Sequence, residues 1–217
     1  MEIPTNWTFK TADIAQDFDH HVREQLPWYD LATGCIAHVA RHYIPNRGLV
    51  YDIGCSTGNI GRSIANTLSE RDAQLVGIDD SAEMEKLYSA PGKFHAKDAM
   101  HFAYQPFDLA VMFLCLMFIP VASRPGLIRR LLTSCKDGGA IIVFDRCIPV
   151  KGYPSLIMSR LALAGKIASG VDPKEILAKE LSLIGVQRPI NPEILSPATE
   201  IFRFGDFAGW ILEPEHK

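Results

Sequence analysis

No stretch of this sequence stays apolar for the roughly eighteen residues that a bilayer crossing needs. The longest such run, Leu109 to Pro120, suits a buried strand instead. The first twenty residues, MEIPTNWTFKTADIAQDFDH, have neither the basic start nor the apolar middle of a secretory leader. There is no CxxC pair. The five cysteines (Cys35, Cys55, Cys115, Cys135, Cys147) are odd in number and widely spaced, which argues against a disulfide framework or a structural zinc site. Positive charge is not in excess: the net charge of −3 speaks against strong nucleic-acid electrostatics, which need a basic stripe, although a brief RNA contact stays open. His38 and His42 stand four apart, yet no glutamate follows the first histidine as in H-E-x-x-H. The expectation is a cytoplasmic protein with no membrane partner and no metal.

What is present is apolar material, 47% of 217 residues against 22% charged, enough for the core of one α/β unit. Helical spacing covers the chain to about Tyr43: Ile14, Phe18, Val22 and Leu26 in one helix, with Thr11 at its N-cap, then Leu31, Cys35, Ile36, Val39, Ala40 and Tyr43 after Pro27. From Gly48 the texture becomes β-α-β. Strands are predicted over 48–53, 74–78, 93–96, 107–116 and 140–144. Helices are predicted over 60–68, around Met84 and over 124–135, and the turn Asp137-Gly138-Gly139 precedes the fifth strand. This alternation implies a parallel sheet. Two more helices are expected over 156–169 and 173–183, the second capped by Asp172 with Pro173 behind it, and a terminal hairpin at 200–212. The expected organisation is one domain over 1–217: an N-terminal helical cap (1–45), a core (48–146), a helical lid (151–190) and a hairpin (198–213).

The sharpest motif is VYDIGCSTGN, Val50–Asn59. A strand ends in Asp52, and a turn containing Gly54 and Gly58 then opens a helix. Glycines there let the backbone approach a ligand closely. The pattern is not G-x-G-x-x-G. A carboxylate at the strand end repels a pyrophosphate and suits the ammonium of an amino-acid moiety, which points to S-adenosylmethionine rather than a dinucleotide. Asp79 ends the next strand about twenty residues on, where a carboxylate accepts from ribose hydroxyls. Asp98-Ala99 follow the third strand, a place for adenine contacts.

With these residues on view, the chain resembles the class I S-adenosylmethionine-dependent methyltransferases over roughly 48–146. The likeness is carried by Val50–Asn59, Val76–Asp80, Asp108–Phe118 and Lys136–Gly139. It implies a Rossmann-like, mostly parallel seven-stranded α/β sheet flanked by helices, with the lid inserted after strand five. A narrower resemblance, through FDHHVREQLPWYD, DIGCSTGN, GIDDSAEM and FGDFAGWIL, is to the bacterial carboxy-S-adenosylmethionine synthase family. Those methyltransferase-fold enzymes work in tRNA wobble-uridine modification and use S-adenosylmethionine and prephenate. The resemblance implies that Tyr29 reaches over the cofactor, that Gly54, Cys55 and Ser56 line its methionine end, that Asp79 and Asp80 hold its ribose, and that Asp98 and Ala99 meet its adenine. Asn59, Gly58, Asp52, Met84 and Phe113 complete the expected cofactor set. The sequence departs from that family in having Phe113 where the fourth strand carries an asparagine. It also departs in having Glu180 where an arginine binds the added carboxylate, and an acidic residue cannot hold a carboxylate.

Asp145, ending the fifth strand, is a candidate general base. Tyr29 and Arg188 are the other candidate catalytic residues, and Arg160 is a further candidate for an anionic acceptor. Three readings stay open: methyl transfer to a small-molecule or nucleobase-like acceptor, a carboxy-S-adenosylmethionine synthase-like reaction, and a non-catalytic cofactor-binding subunit. The first is favoured because the carboxylate-binding arginine lacks a counterpart. S-adenosylhomocysteine or carboxy-S-adenosylmethionine could also occupy the site. The apolar residues of 156–183 suggest a homodimer face.

Overall fold

The most apolar run of the chain becomes the centre of the molecule. The computed structural model describes residues 3–4, 7–148 and 152–214. In it β4 (Phe107–Phe113) is buried at every position, as a strand covered on both faces must be. It lies between β1 (Leu49–Ile53) and β5 (Cys135–Arg146), with β2 (Gln74–Asp79) and β3 (Lys93–Ala96) beyond β1, all parallel. β6 (Thr199–Phe204) and β7 (Phe207–Leu212) form the hairpin, and β7 pairs antiparallel with β5. The sheet order is β3-β2-β1-β4-β5-β7-β6. The expected seven-stranded, mostly parallel α/β sheet is the observed one.

Alternate residues of the central strands feed two cores, because successive side chains point to opposite faces. Leu109, Val111 and Phe113 pack with Ile142 and Phe144 under α1 (Ala12–Gln25), α2 (Tyr29–Tyr43), α3 (Asn59–Ser63) and α4 (Ala65–Glu70). Ala110 and Met112 pack with Ile141 and Val143 against α6 (Arg124–Ser134). α5 (Ala82–Leu87) follows β2, with Ser81 Oγ accepting from the Met84 amide. α7 (Tyr153–Ala168) and α8 (Pro173–Ser182) follow β5, and Asp172 caps α8 through the Lys174 amide as expected.

Several boundaries differ from the sequence reading. Thr11 is the N-cap of α1, but its side chain makes no capping bond. α2 begins at Tyr29 and buries Ala32, Ile36 and Ala40, which leaves Leu31 71% exposed on the opposite face. The helix expected over 60–68 is broken at Ile64. β4 stops at Phe113 because Leu114 turns left-handed (φ 57), and a 3-10 turn over Leu116–Phe118 follows. Asp137-Gly138-Gly139 lie inside β5 as an irregularity: β4 advances two residues, 107 to 109, while β5 advances five, 135 to 140. Residue 151, which opens the expected lid, lies outside the described residues, as do 1–2, 5–6, 149–150 and 215–217.

All five cysteines are free thiols. Among the described residues no helix is long and apolar enough to cross a membrane, and no group of three or more His, Cys, Asp or Glu side chains is placed to hold a metal.

Gly209 of β7 leaves its space to the ring of the fully buried Phe144, which a Cβ at that position would penetrate. Gly209→Ala is expected to destabilise the protein by about 1–3 kcal/mol through overpacking. That corresponds to a fall of roughly 2–12 °C in the thermal midpoint, read by calorimetry. An unchanged midpoint would show that the β5–β7 seam is loosely packed.

Candidate active site

The carboxyl ends of the parallel strands open onto one cavity of about 620 Å³, at the edge where open α/β sheets bind ligands. The turn after β1 forms its floor. Gly54 (φ 72), Ser56 (φ 48) and Gly58 (φ 95) take left-handed backbone. The Gly54 and Cys55 amides donate to the Ile78 carbonyl at 2.7 and 3.1 Å, folding the turn back over β2. The Ser56 amide then reaches Asp79 Oδ2 at 2.9 Å, and the Ser81 amide reaches Oδ1 at 3.0 Å. Each Asp79 oxygen keeps a second lone pair. Burial pushes the Asp79 pKa up, and the two amides oppose it.

Asp52 lies beneath the turn, fully buried, with no hydrogen-bond partner for Oδ2 among the described residues. Burial raises its pKa to about 7 and Asp79 adds to that, while the Gly61 amide and the Arg62 charge oppose it. A buried acceptor left unpaired costs about 1–3 kcal/mol. An ammonium group supplied by a ligand would remove that penalty, so the site suits the amino-acid end of S-adenosylmethionine. Asp80 is exposed and paired with Lys10 at 2.8 Å. Ser56 Oγ donates to Met84 Sδ at 3.3 Å. Asp98 accepts from the Met100 amide at 2.7 Å, and Asp98 and Ala99 both line the cavity. The Cys55 thiol is pushed up by burial, which makes it an inert part of the wall.

α1 is pinned to this floor. Asp19 accepts from Thr57 Oγ1 at 2.7 Å and Arg62 Nη2 at 2.8 Å. Arg23 donates to Asn59 Oδ1 at 3.0 Å and lies over the Tyr29 ring. Tyr29, the first residue of α2, packs its ring 4.9 Å from that of Phe113. It lines the cavity and at the same time plugs the corner between the helices.

The far half of the cavity is roofed by α1, α7 and α8, an arrangement the sequence did not reveal. His21 and Gln25, one turn apart on α1, are buried cavity residues whose Nε2 and Oε1 have no partner among the described residues. Arg146 at the end of β5 donates to Asp206 at 2.7 Å and to Glu180 at 3.0 Å, and Lys166 donates to Glu180 at 3.2 Å. Burial raises the Glu180 pKa, but the charges of Arg146 and Lys166 outweigh it and hold the carboxyl below its usual value. Lys179 is only 9% exposed, sits over the Trp7 ring and has no ion-pair partner among the described residues. Burial, and then the charge of Lys166, push its pKa down to about 6 against the pull of Glu175 and Glu180. The Trp7 face offers an ammonium about 0.5–2 kcal/mol. Desolvating an ammonium costs about several kcal/mol, so burial favours the uncharged form of Lys179. Burial and the Lys179 charge push His21 down to about 4.

Four expectations are corrected. Asp145 is not at the cavity. It is buried, accepts from the Met117 and Arg146 amides at 3.2 Å each, and holds the turn after β4. Arg188 is exposed, and only its backbone is used: its amide donates to the Met117 carbonyl, and its carbonyl accepts from buried Arg124. Arg160 is likewise exposed and outside the cavity. Gly58 faces Ala90 and Tyr88 rather than the cavity. Gly54 does line the cavity, but a Cβ there would strike Cys115 Sγ at 2.6 Å, so its glycine is required by the neighbouring wall as well as by φ.

An ammonium beside Asp52 favours its ionised form, and from this follows a pH dependence. Because the free carboxyl has its pKa raised to about 7, binding S-adenosylhomocysteine should release a proton. Affinity should fall as pH drops below about 7, by up to about tenfold per unit. Titration calorimetry in buffers of different ionisation enthalpy measures the release, and Asp52→Asn should abolish it. Proton uptake on binding would contradict this placement of the ammonium.

Comparisons with known proteins agree with this geometry. Residues 50–139 match the family described as "Methyltransferase domain". A carboxy-S-adenosyl-L-methionine synthase of Staphylococcus epidermidis is 26% identical over 213 residues, covering 96% of this chain and 93% of its own. One of Wolinella succinogenes is 28% identical over 217 residues, covering 92% and 90%. Among solved structures, the plantazolicin methyltransferase BpumL in complex with SAH superposes with a TM-score of 0.64 at 14% identity, over 94% of this chain and 90% of that one. Human N-acetylserotonin methyltransferase in complex with SAM gives 0.63 at 13% identity over 96% of this chain, which spans 58% of the human enzyme. The chain therefore has the Rossmann-like fold of the S-adenosylmethionine-dependent methyltransferases, carries their domain signature over residues 50–139, and is similar over nearly its whole length to carboxy-S-adenosyl-L-methionine synthases.

Proposed function

We propose that the chain is an S-adenosylmethionine-dependent transferase that passes the methyl group to a small-molecule acceptor held in the same cavity. The cavity itself carries this reading. It runs from the carboxylates of Asp52, Asp79, Asp80 and Asp98 to an aromatic half bounded by Tyr29, Phe113 and Phe207. Its volume of about 620 Å³ lies well inside the range of roughly 300–1,000 Å³ for ligand sites. A non-catalytic cofactor-binding subunit would not need the second half. When bound, the cofactor supplies a methyl group on a good leaving group, and the protein contributes positioning and water exclusion. Asp52 receives the ammonium and Asp79 the ribose hydroxyls. The Trp7–Lys10 segment, tied down by Trp7 amide to Ser182 carbonyl and by Ser81 Oγ to Phe9 carbonyl, closes the cavity together with α7 and α8.

A second reading, synthesis of a carboxylated cofactor for tRNA modification, is supported by the full-length similarity to the synthases. Methyl transfer is favoured because a carboxylate needs a spare cation beside it. Arg146 and Lys166 are already matched by Glu180 and Asp206, and a carboxylate placed beside Lys179 would have to protonate it against its burial. A cytoplasmic location goes with either reading. We also assign a homodimer face to the outer side of α7 and α8. Leu156, Ile157, Leu161 and Ile167 of α7 and Leu177 and Leu181 of α8 stand exposed, and exposed apolar side chains grouped on one pair of helices suit an interface.

Mass spectrometry of the adenosyl products formed with S-adenosylmethionine and prephenate separates the two readings. Methyl transfer predicts no product heavier than the cofactor, and one heavier by a carboxyl group establishes the second reading. Asp79→Ala is expected to weaken S-adenosylhomocysteine binding by about 2 kcal/mol or more, since a buried charged acceptor is lost. Unchanged affinity in the folded variant would remove Asp79 from the ribose site. For the dimer, Leu161→Glu together with Leu177→Glu should yield monomers in sedimentation equilibrium, and a monomeric wild-type protein would refute the assignment.

A further inference from the structure

We propose that Lys179 is the general base of the transfer, taking the proton from an aromatic hydroxyl acceptor seated under the roof of the cavity. The proposal rests on the methyl-transfer reading and adds to it a residue and an acceptor class.

Two buried lysines line the cavity, and they differ in one respect. Lys166 is ion-paired with Glu180, whereas Lys179 has no such partner among the described residues. Among the described residues the charged groups facing it are these. Lys166 comes from α7, and Glu175 and Glu180 come from its own helix. His21 comes from α1, and Arg146 lies behind Glu180 at the end of β5. Glu180 is shared by two cations, and Glu175 accepts from Gln25 at 2.8 Å. The remaining neighbour of Lys179 is the Trp7 ring. A sulfonium bound in the same cavity adds another positive charge and further disfavours an ammonium there. The amine is therefore free to accept a proton at neutral pH, which is what a base acting on a weakly acidic hydroxyl requires.

The acceptor class follows from the walls. Trp7, Phe18, Tyr29, Phe113, Phe118 and Phe207 surround the space and suit a flat, apolar ring. The unpartnered His21 Nε2 and Gln25 Oε1 offer hydrogen bonds to a polar substituent on it. In the transfer the hydroxyl proton moves to Lys179 Nζ while the oxygen–methyl bond forms. The carbon–sulfur bond breaks with its electron pair left on sulfur. The positive charge of the sulfonium reappears as the Lys179 ammonium, so the cavity gains no net charge during the step.

The test has two arms. Carbon-13 NMR of the lysine Cε resonances, assigned through Lys179→Arg, reads the protonation of this amine without any acceptor. The expected midpoint is near pH 6, and one near the ordinary lysine value of about 10.4 overturns the proposal. In the second arm, S-adenosylhomocysteine release is followed with 4-methylphenol and with the more acidic 4-nitrophenol. Lys179→Met should lower kcat on 4-methylphenol by about 100-fold or more and much less on 4-nitrophenol, with S-adenosylhomocysteine affinity unchanged. Lys179→Arg should not restore turnover. Rescue by arginine would mean that a fixed cation suffices and would overturn the base. Turnover of neither phenol by the wild-type protein overturns the hydroxyl class, whatever the titration gives. A carboxylated product from prephenate would instead sink the methyl-transfer reading on which the proposal rests.

Discussion

The site depends on the doubling back of the Gly54–Ser56 turn over the end of β2. Two of its amides close on the Ile78 carbonyl and a third on the Asp79 carboxylate. These bonds set the distance between β1 and β2 at the cavity floor and bury Asp52 beneath the loop. They also leave Asp79 held by two backbone amides with lone pairs to spare. Left-handed backbone at Gly54 and Ser56 is what makes the closure possible. Cys115 fills the space a side chain at 54 would take, so the turn and the segment after β4 are fitted to each other.

The second determinant is how charge is shared in the roof. Three basic side chains and two carboxylates meet at Arg146, Lys166, Lys179, Glu180 and Asp206, but they pair unevenly. Arg146 takes both acids, Lys166 shares Glu180, and Lys179 is left on an aromatic face. Buried ions are tolerable only when matched, and an unmatched amine relieves the strain by giving up its proton. Glu180 occupies the neighbouring cations Arg146 and Lys166, and its charge pulls the Lys179 pKa up against the burial that lowers it.

Asp145 and Arg124 show how polar groups near a site can be wholly architectural. Arg124 is buried and donates to the carbonyls of Met117, Ile119, Arg188 and Pro189, while Asp145 receives the Met117 amide. Together they hold the chain after β4 against the loop before β6. This places the apolar wall at Phe118 and keeps the 188–189 backbone away from the cavity.

The sequence by itself determined the sheet and the cofactor half of the site. β-branched and apolar runs bounded by glycine turns have few alternatives to buried parallel strands, and residues at consecutive strand ends in this topology converge on one edge. Asp52, Gly54, Asp79 and Asp98 could be named from position alone for that reason. Helix faces were less legible. Leu31 fits the helical spacing of α2 yet points outward, because the chain turn at Pro27 rotates Ala32, Ile36 and Ala40 toward the sheet. Only the tertiary structure decided that His21, Gln25, Lys166 and Lys179 share a cavity. They come from three helices separated by up to 158 positions (21 to 179), and nothing local marks a lysine as buried. Only it showed that Asp145 and Arg188 stand outside, since a residue's place on a strand end or loop does not fix whether its side chain is aimed at the ligand or taken by the neighbouring backbone.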